Sequence, residues 1–152
     1  MLAVMDRPTI LLFCCAGFLA AACSVIEGGT ERYEVVADAI PAALTGVPGD
    51  PRRGREVIAG RDGNCLLCHA IPETSERFVG NVGPPLSGVG LRLTAAQLRL
   101  RIADSGRLNR DAIMPSYYRV HGLERVAAAY QGKPILTAQQ VEDVVAYLLT
   151  LR

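Results

Sequence analysis

Cys65-Leu66-Leu67-Cys68-His69 places two thiols three positions apart, with an imidazole directly after the second. This C-x-x-C-H spacing is the attachment pattern of a c-type haem. Two intervening residues let both sulfurs reach the edge of one porphyrin, and the next side chain can then turn its imidazole to the iron. Two competing chemistries are weaker. A zinc site takes about four N or S ligands, and past Cys23 the chain offers only Cys65, Cys68, His69 and His121. A thioredoxin-like pair needs its C-x-x-C in a βαβ setting, and no such alternation surrounds this one.

Met114 bears on the other side of the iron. Once a cleaved leader is removed it is the only methionine left, and it precedes a proline in Ala112-Ile113-Met114-Pro115. A thioether sixth ligand favours reduced iron and raises the potential, which suits electron acceptance. Pro115 removes an N–H and fixes the turn that aims the sulfur. The alternatives are a Met114 that merely fills a core gap and His121 as the sixth ligand. Gly83-Pro84-Pro85-Leu86 provides a second layer: a carbonyl at Pro84 can accept the Nδ1 proton of His69 and so leave Nε2 for iron. Arg92, just past Gly88-Val89-Gly90, is placed to neutralise a haem propionate or to stand in solvent.

Helices must position these groups. Asp50-Pro51 is an N-cap followed by proline at the first helical position, and the segment to Ala59 stops at Gly60, with Gly54, Val57 and Ile58 on one face. Gly80 to Gly90 lacks helical periodicity and reads as a loop. Thr94-Ala95-Ala96-Gln97 is a capping box opening a helix to about Asp104, with Leu98 and Ile102 on one face. Thr137-Ala138-Gln139-Gln140 repeats it. The last helix carries Val141, Val144, Val145, Leu148 and Leu151 on one stripe, with Gln139, Gln140, Glu142 and Asp143 elsewhere. The expectation is an all-α domain over 51–152. With no Trp and few aromatics its helices alone make a thin core, so the porphyrin is expected to fill a cavity between His69 and Met114.

Ahead of this domain, Ile10 to Ala22 is an apolar run preceded by Arg7 and closed by small residues. It fits a secretory signal over 1–22 better than a membrane span, for which it is short. Cys14 and Cys15 lie within it and are not counted as a disulfide. Cys23 follows Leu19-Ala20-Ala21-Ala22, which resembles a bacterial lipoprotein cleavage box with Ala20 where Leu is usual. Ordinary cleavage near Ala22 is the other reading, and a membrane contact is expected only if Cys23 is lipidated. Residues 23–50 form an N-terminal extension, either loose or clasping a partner.

The formal net charge is +1, and a leader carrying Asp6 and Arg7 leaves it unchanged. Near neutrality argues against nucleic acid as a partner. The basic side chains are nearly all arginine, with Lys133 the single lysine, which favours specific carboxylate contacts over a diffuse lysine-rich face. No phosphate-binding glycine loop or Ser/His/Asp nucleophile pattern is present.

Together the haem run, the Gly-Pro-Pro-Leu loop, Met114-Pro115 and the last amphipathic helix resemble a class I cytochrome c over roughly residues 51–152. Asn64 to Pro72, Gly80-Asn81-Val82-Gly83-Pro84, Leu98 to Asp104, Asn109, Met114-Pro115-Ser116-Tyr117-Tyr118-Arg119-Val120 and Gln131-Gly132-Lys133-Pro134-Ile135-Leu136 resemble, more closely, the SoxX family of monohaem cytochromes.

That resemblance implies one covalent haem c and a periplasmic location, since bacteria attach this cofactor outside the cytoplasm. It also implies a heterodimer with a dihaem or monohaem SoxA-type subunit and an indirect link to the SoxYZ carrier protein. The chain would accept the electrons released when thiosulfate is joined to a carrier cysteine, then pass them to a downstream cytochrome c. In this reading it is the electron-accepting subunit of an L-cysteine S-thiosulfotransferase and not the catalyst. The loop from Ser116 to Leu136 and the extension before Asp50 are implied as interface candidates. Two other classes share the ligands: a stand-alone periplasmic shuttle, and a haem sensor with a displaceable sixth ligand.

Overall fold

A computed structural model describes residues 32–152 apart from Glu73 and Arg77; the leader over 1–22, with its two cysteines, and Cys23 lie outside the described residues. Among the described residues four α-helices carry the fold: α1 (Pro51–Ala59), α2 (Val89–Arg92), α3 (Ala95–Ala103) and α4 (Ala138–Leu148). Short 3₁₀ turns lie at Cys65–Leu67, Ser105–Arg107 and Ala128–Tyr130. The one β-type pairing among the described residues is a bridge between Val36 and Ala39. No helix among them is long and apolar enough to cross a membrane.

The helix starts follow from local chemistry. Asp50 Oδ1 accepts from the Arg52 and Arg53 amides at 2.8 and 3.3 Å, satisfying donors that the first turn leaves open. Both threonine boxes close reciprocally. Thr94 Oγ1 accepts from the Gln97 amide at 3.3 Å while Gln97 Oε1 accepts from the Thr94 amide at 3.0 Å, and Thr137 with Gln140 does the same at 3.2 and 2.8 Å. Gly60 ends α1 in extended backbone, not in the left-handed form. The Gly80 to Gly90 loop is one residue pair shorter than its composition suggests, because α2 begins at Val89 once Gly88 takes a left-handed φ of 66°.

α1 packs across α4, and Gly54 sets how closely. A Cβ there would run into the Asp143 carbonyl and the Tyr147 side chain. Only a residue without a side chain lets the two backbones meet. Ile58 on α1 and Val141, Val144, Val145 and Leu148 on α4 are buried in the resulting core, each side chain contributing about 1.5–3 kcal/mol by leaving water.

Of the extension over 23–50, the structure describes residues 32–50, and residues 33–50 strap their own domain. Ile40 is fully buried and its amide donates to the Ala96 carbonyl at 3.0 Å. Asp38 Oδ2 accepts from Gln97 Nε2 at 2.9 Å. This strap explains two departures from the sequence pattern. Leu100 and Arg99 are buried as well as Leu98 and Ile102, because the strap covers the face of α3 that amphipathicity assigns to solvent. Glu142 and Asp143 on α4 are buried at 5% and 2% exposure, because each carboxylate has an arginine partner there.

A candidate haem site

Asn64 turns the chain into the cysteine run through a left-handed φ of 46°, a conformation Asn tolerates better than most residues. The 3₁₀ turn that follows is closed by the Cys68 and His69 amides, which donate to the Cys65 carbonyl at 3.1 and 2.9 Å. Leu66 is buried as its anchor while Leu67 faces out. Cys65 and Cys68 are not joined in a disulfide. Before a haem is attached, burial pushes the Cys65 thiol up to about 11. The buried Tyr117 hydroxyl donates to the Gly63 carbonyl at 2.7 Å, and burial, then the neighbouring cysteines, raise its own pKa.

The Gly-Pro-Pro-Leu loop is stitched alongside. The Gly80, Gly83 and Leu86 amides donate to the carbonyls of Leu66, Cys68 and Ala70 at 2.8, 2.8 and 2.9 Å. This register brings the Pro84 carbonyl within 2.7 Å of His69 Nδ1. A carbonyl can only accept, so Nδ1 carries the proton and Nε2 keeps its lone pair. Gly83 lies against the imidazole so closely that a Cβ would clash with the ring.

Met114 reaches the same region from the other end of the chain. The Tyr117 amide donates to the Ile102 carbonyl at 3.0 Å, and the Tyr118 and Arg119 amides share the Ala103 carbonyl, so the segment after Met114 is fastened to the end of α3.

These groups line one cavity of about 680 Å³ with Cys65, Cys68, His69, Pro84, Arg92 and Met114 all on its wall. The remaining wall is largely apolar, including Ile58, Leu98, Ile102, Val144 and Leu148. A volume in the range of ligand pockets, apolar walls and four donors of the right kind fit a porphyrin with two thioether links and an N/S axial pair. His121 is exposed and lies outside this wall. Among the described residues no three His, Cys, Asp or Glu side chains converge as a metal site.

Arg92 is more engaged than the sequence suggested: it donates to the carbonyls of Ser87 at 2.6 Å and Pro85 at 3.3 Å, closing the loop that carries Pro84. Arg101, Asn109 and Tyr117, to which the sequence assigned no role at the site, also line the cavity. Arg101, at the last turn of α3, bonds the Gln97 carbonyl at 2.9 Å and reaches Asp38. Nothing local marks it, since its neighbours come from the strap.

The family description "Cytochrome c" matches residues 52–152. No curated protein matches the chain. Among solved structures, it is similar to a chain of the crystal structure of SoxXA from P. pantotrophus, with 39% sequence identity and a TM-score of 0.74 over 82% of this chain and 97% of that one. The family match spans Cys65, Cys68, His69, Pro84, Arg92 and Met114, and on these two likenesses the chain belongs to the cytochrome c family, among its SoxX-like members, with covalently bound haem c as its cofactor.

Proposed function

We propose that the chain is the electron-accepting subunit of a SoxXA-type complex, holding its haem c through Cys65 and Cys68 and its iron through His69 and Met114. When bound, the haem supplies a one-electron couple. His69 is held in one tautomer by Pro84, and Met114 supplies a soft thioether that favours the reduced state. With His69 and Met114 both holding the iron, the site would be closed to substrate and suited to electron transfer. The observation that carries this reading is the shared cavity wall of His69 and Met114, from which His121 is absent.

The likeness to SoxXA supports a SoxA-type haem subunit as partner. In that setting the carrier thiol loses its proton, a sulfur–sulfur bond forms to thiosulfate, and two electrons leave the pair. This chain receives them singly and a downstream cytochrome c removes them. The periplasm is the matching location, with membrane attachment only through a lipidated Cys23. Of the strap, the outward faces at Val36 and Val47 stay exposed and remain available to the partner beside the loop over 116–136.

The test is co-purification with a SoxA-type subunit, then addition of thiosulfate and carrier. Reduction of this chain's haem is expected. A chain that purifies alone and stays oxidised would be a stand-alone shuttle instead. Separately, Met114→Ala should change the optical spectrum and lower the potential; an unchanged spectrum and potential would remove Met114 from the iron.

A further inference from the structure

Asp104 and Ser105, at the end of α3, hold the methionine segment at two points, one at Met114 and one just after it. Ser105 Oγ donates to the backbone carbonyl of Met114 itself at 2.5 Å. Two residues on, Ser116 Oγ donates to Asp104 Oδ1 at 3.2 Å. Asp104 and Ser105 are adjacent and both are buried, at 6% and 7% exposure. Asp104 is fixed in turn. Its amide donates to the Leu100 carbonyl at 2.8 Å, and its carbonyl accepts from the Arg107 amide at 3.1 Å. Tyr33 of the strap donates to its Oδ2 at 3.3 Å. Arg119 Nε stands 2.9 Å from Oδ1 with its N–H not aimed at the oxygen, so that contact is electrostatic.

A methionine side chain has three rotatable bonds and adapts to its surroundings. Holding its sulfur at one place therefore depends on the backbone that carries it. Pro115 restricts that backbone on one side. The carbonyl of Met114 is immobilised by Ser105, and the segment beyond by Asp104. Neither residue needs to touch the cavity, and neither lines it.

We propose that Ser105 and Asp104 are positioning residues for Met114, a clamp that keeps its thioether presented to the cavity and so sets how easily an outside ligand displaces it. This rests on Met114 being the sixth ligand, as proposed above. The clamp acts on the competition between the thioether and an added ligand, and hence on the potential, more than on the stability of the fold.

The experiment compares wild type, Ser105→Ala, Ser105→Thr and Met114→Ala as mature holoproteins. Three quantities are read: the far-red absorption of a thioether on ferric iron, the affinity of the ferric protein for imidazole, and the reduction potential. Wild type is expected to show the far-red absorption and Met114→Ala to lack it. If Met114→Ala keeps it, the ligation itself is wrong and the clamp falls with it. Given that difference, Ser105→Ala should bind imidazole about fivefold more tightly, as the loss of one hydrogen bond implies, and have a lower potential, with Ser105→Thr close to wild type. A Ser105→Ala protein with a lower unfolding temperature but unchanged imidazole affinity and potential would make Ser105 structural only and overturn the proposal. A Ser105→Thr protein indistinguishable from Ser105→Ala would do so too.

Discussion

Arg99 on α3 and Glu142 on α4 form a two-pronged ion pair, Nε to Oε1 at 2.6 Å and Nη2 to Oε2 at 2.9 Å, with both side chains almost excluded from water. The strap completes it. Arg99 Nη1 donates to the Ile40 carbonyl at 2.7 Å, and Glu142 Oε1 accepts from the Leu44 amide at 2.8 Å. One buried pair thus joins two helices and pins the segment that precedes the domain. Its desolvation is offset by hydrogen bonds that satisfy both charges, so the cost of losing it falls on whichever partner is left behind.

Glu142→Ala should therefore destabilise the holoprotein by about 3–5 kcal/mol, the penalty of stranding a buried arginine. Chemical denaturation measures it. Hydrogen exchange at the Ile40 and Leu44 amides should accelerate more than at Val144, because the strap detaches first. Equal acceleration at all three sites would show that the pair does not pin the strap.

Gly83→Ala should disturb the His69 ring, since the added methyl group lands on the imidazole. The hydrogen bond from Nδ1 to the Pro84 carbonyl raises the basicity of the ligating nitrogen. Weakening it favours the reduced state, so the potential is expected to rise. A potential equal to wild type, measured by redox titration, would mean that the ring keeps its place.

Acid should weaken the fold through carboxylates whose pKa values lie below the ordinary 3.8. For Asp143, burial pulls upward, but the Arg53 guanidinium, the Asp50 amide and Gln139 outweigh it. Gln97 and then Arg101 lower Asp38; the Arg53 and Arg52 amides lower Asp50. A depressed folded-state pKa gives stability that is present above the unfolded value and lost as pH falls through the folded one. Thermal unfolding temperatures should thus drop as pH falls below about 4. Asp143→Asn should start lower and decline less steeply; a decline parallel to wild type would deny Asp143 a part in it.

Alkali acts through Tyr33. Burial first, then the Asp104 carboxylate, raises its phenol from 10.0 to about 12. A raised folded-state pKa contributes stability below the unfolded value, and that contribution disappears as pH rises from about 10 to about 12. Tyr33→Phe should flatten this limb of the stability profile. An ultraviolet titration in which all tyrosines ionise near 10 would contradict the shift.

Much of the fold was legible because the signals are local. Asp50, Thr94 and Thr137 cap helices through hydrogen bonds spanning two or three residues, and α1, α3 and α4 begin where those caps place them. Gly83 and Pro84 announced a loop by composition, and their register against Cys68 and His69 follows from a short connection. Arg101 and the buried state of Glu142 were not legible. A charged residue on the polar side of an amphipathic helix carries no local sign that another segment will cover it.

By itself the sequence determined the cofactor, since the reach of two thiols and an imidazole over five residues is a matter of covalent geometry. It also determined where α1, α3 and α4 start. Only the tertiary structure decided that Met114 shares the cavity with His69 while His121 does not, and that the extension straps its own domain. It alone placed Ser105 and Asp104 behind the methionine. The physical reason is separation along the chain. Leu44 meets Glu142 across 98 positions and Tyr33 meets Asp104 across 71. Contacts at that range depend on how the whole core packs, and no spacing within a motif encodes them.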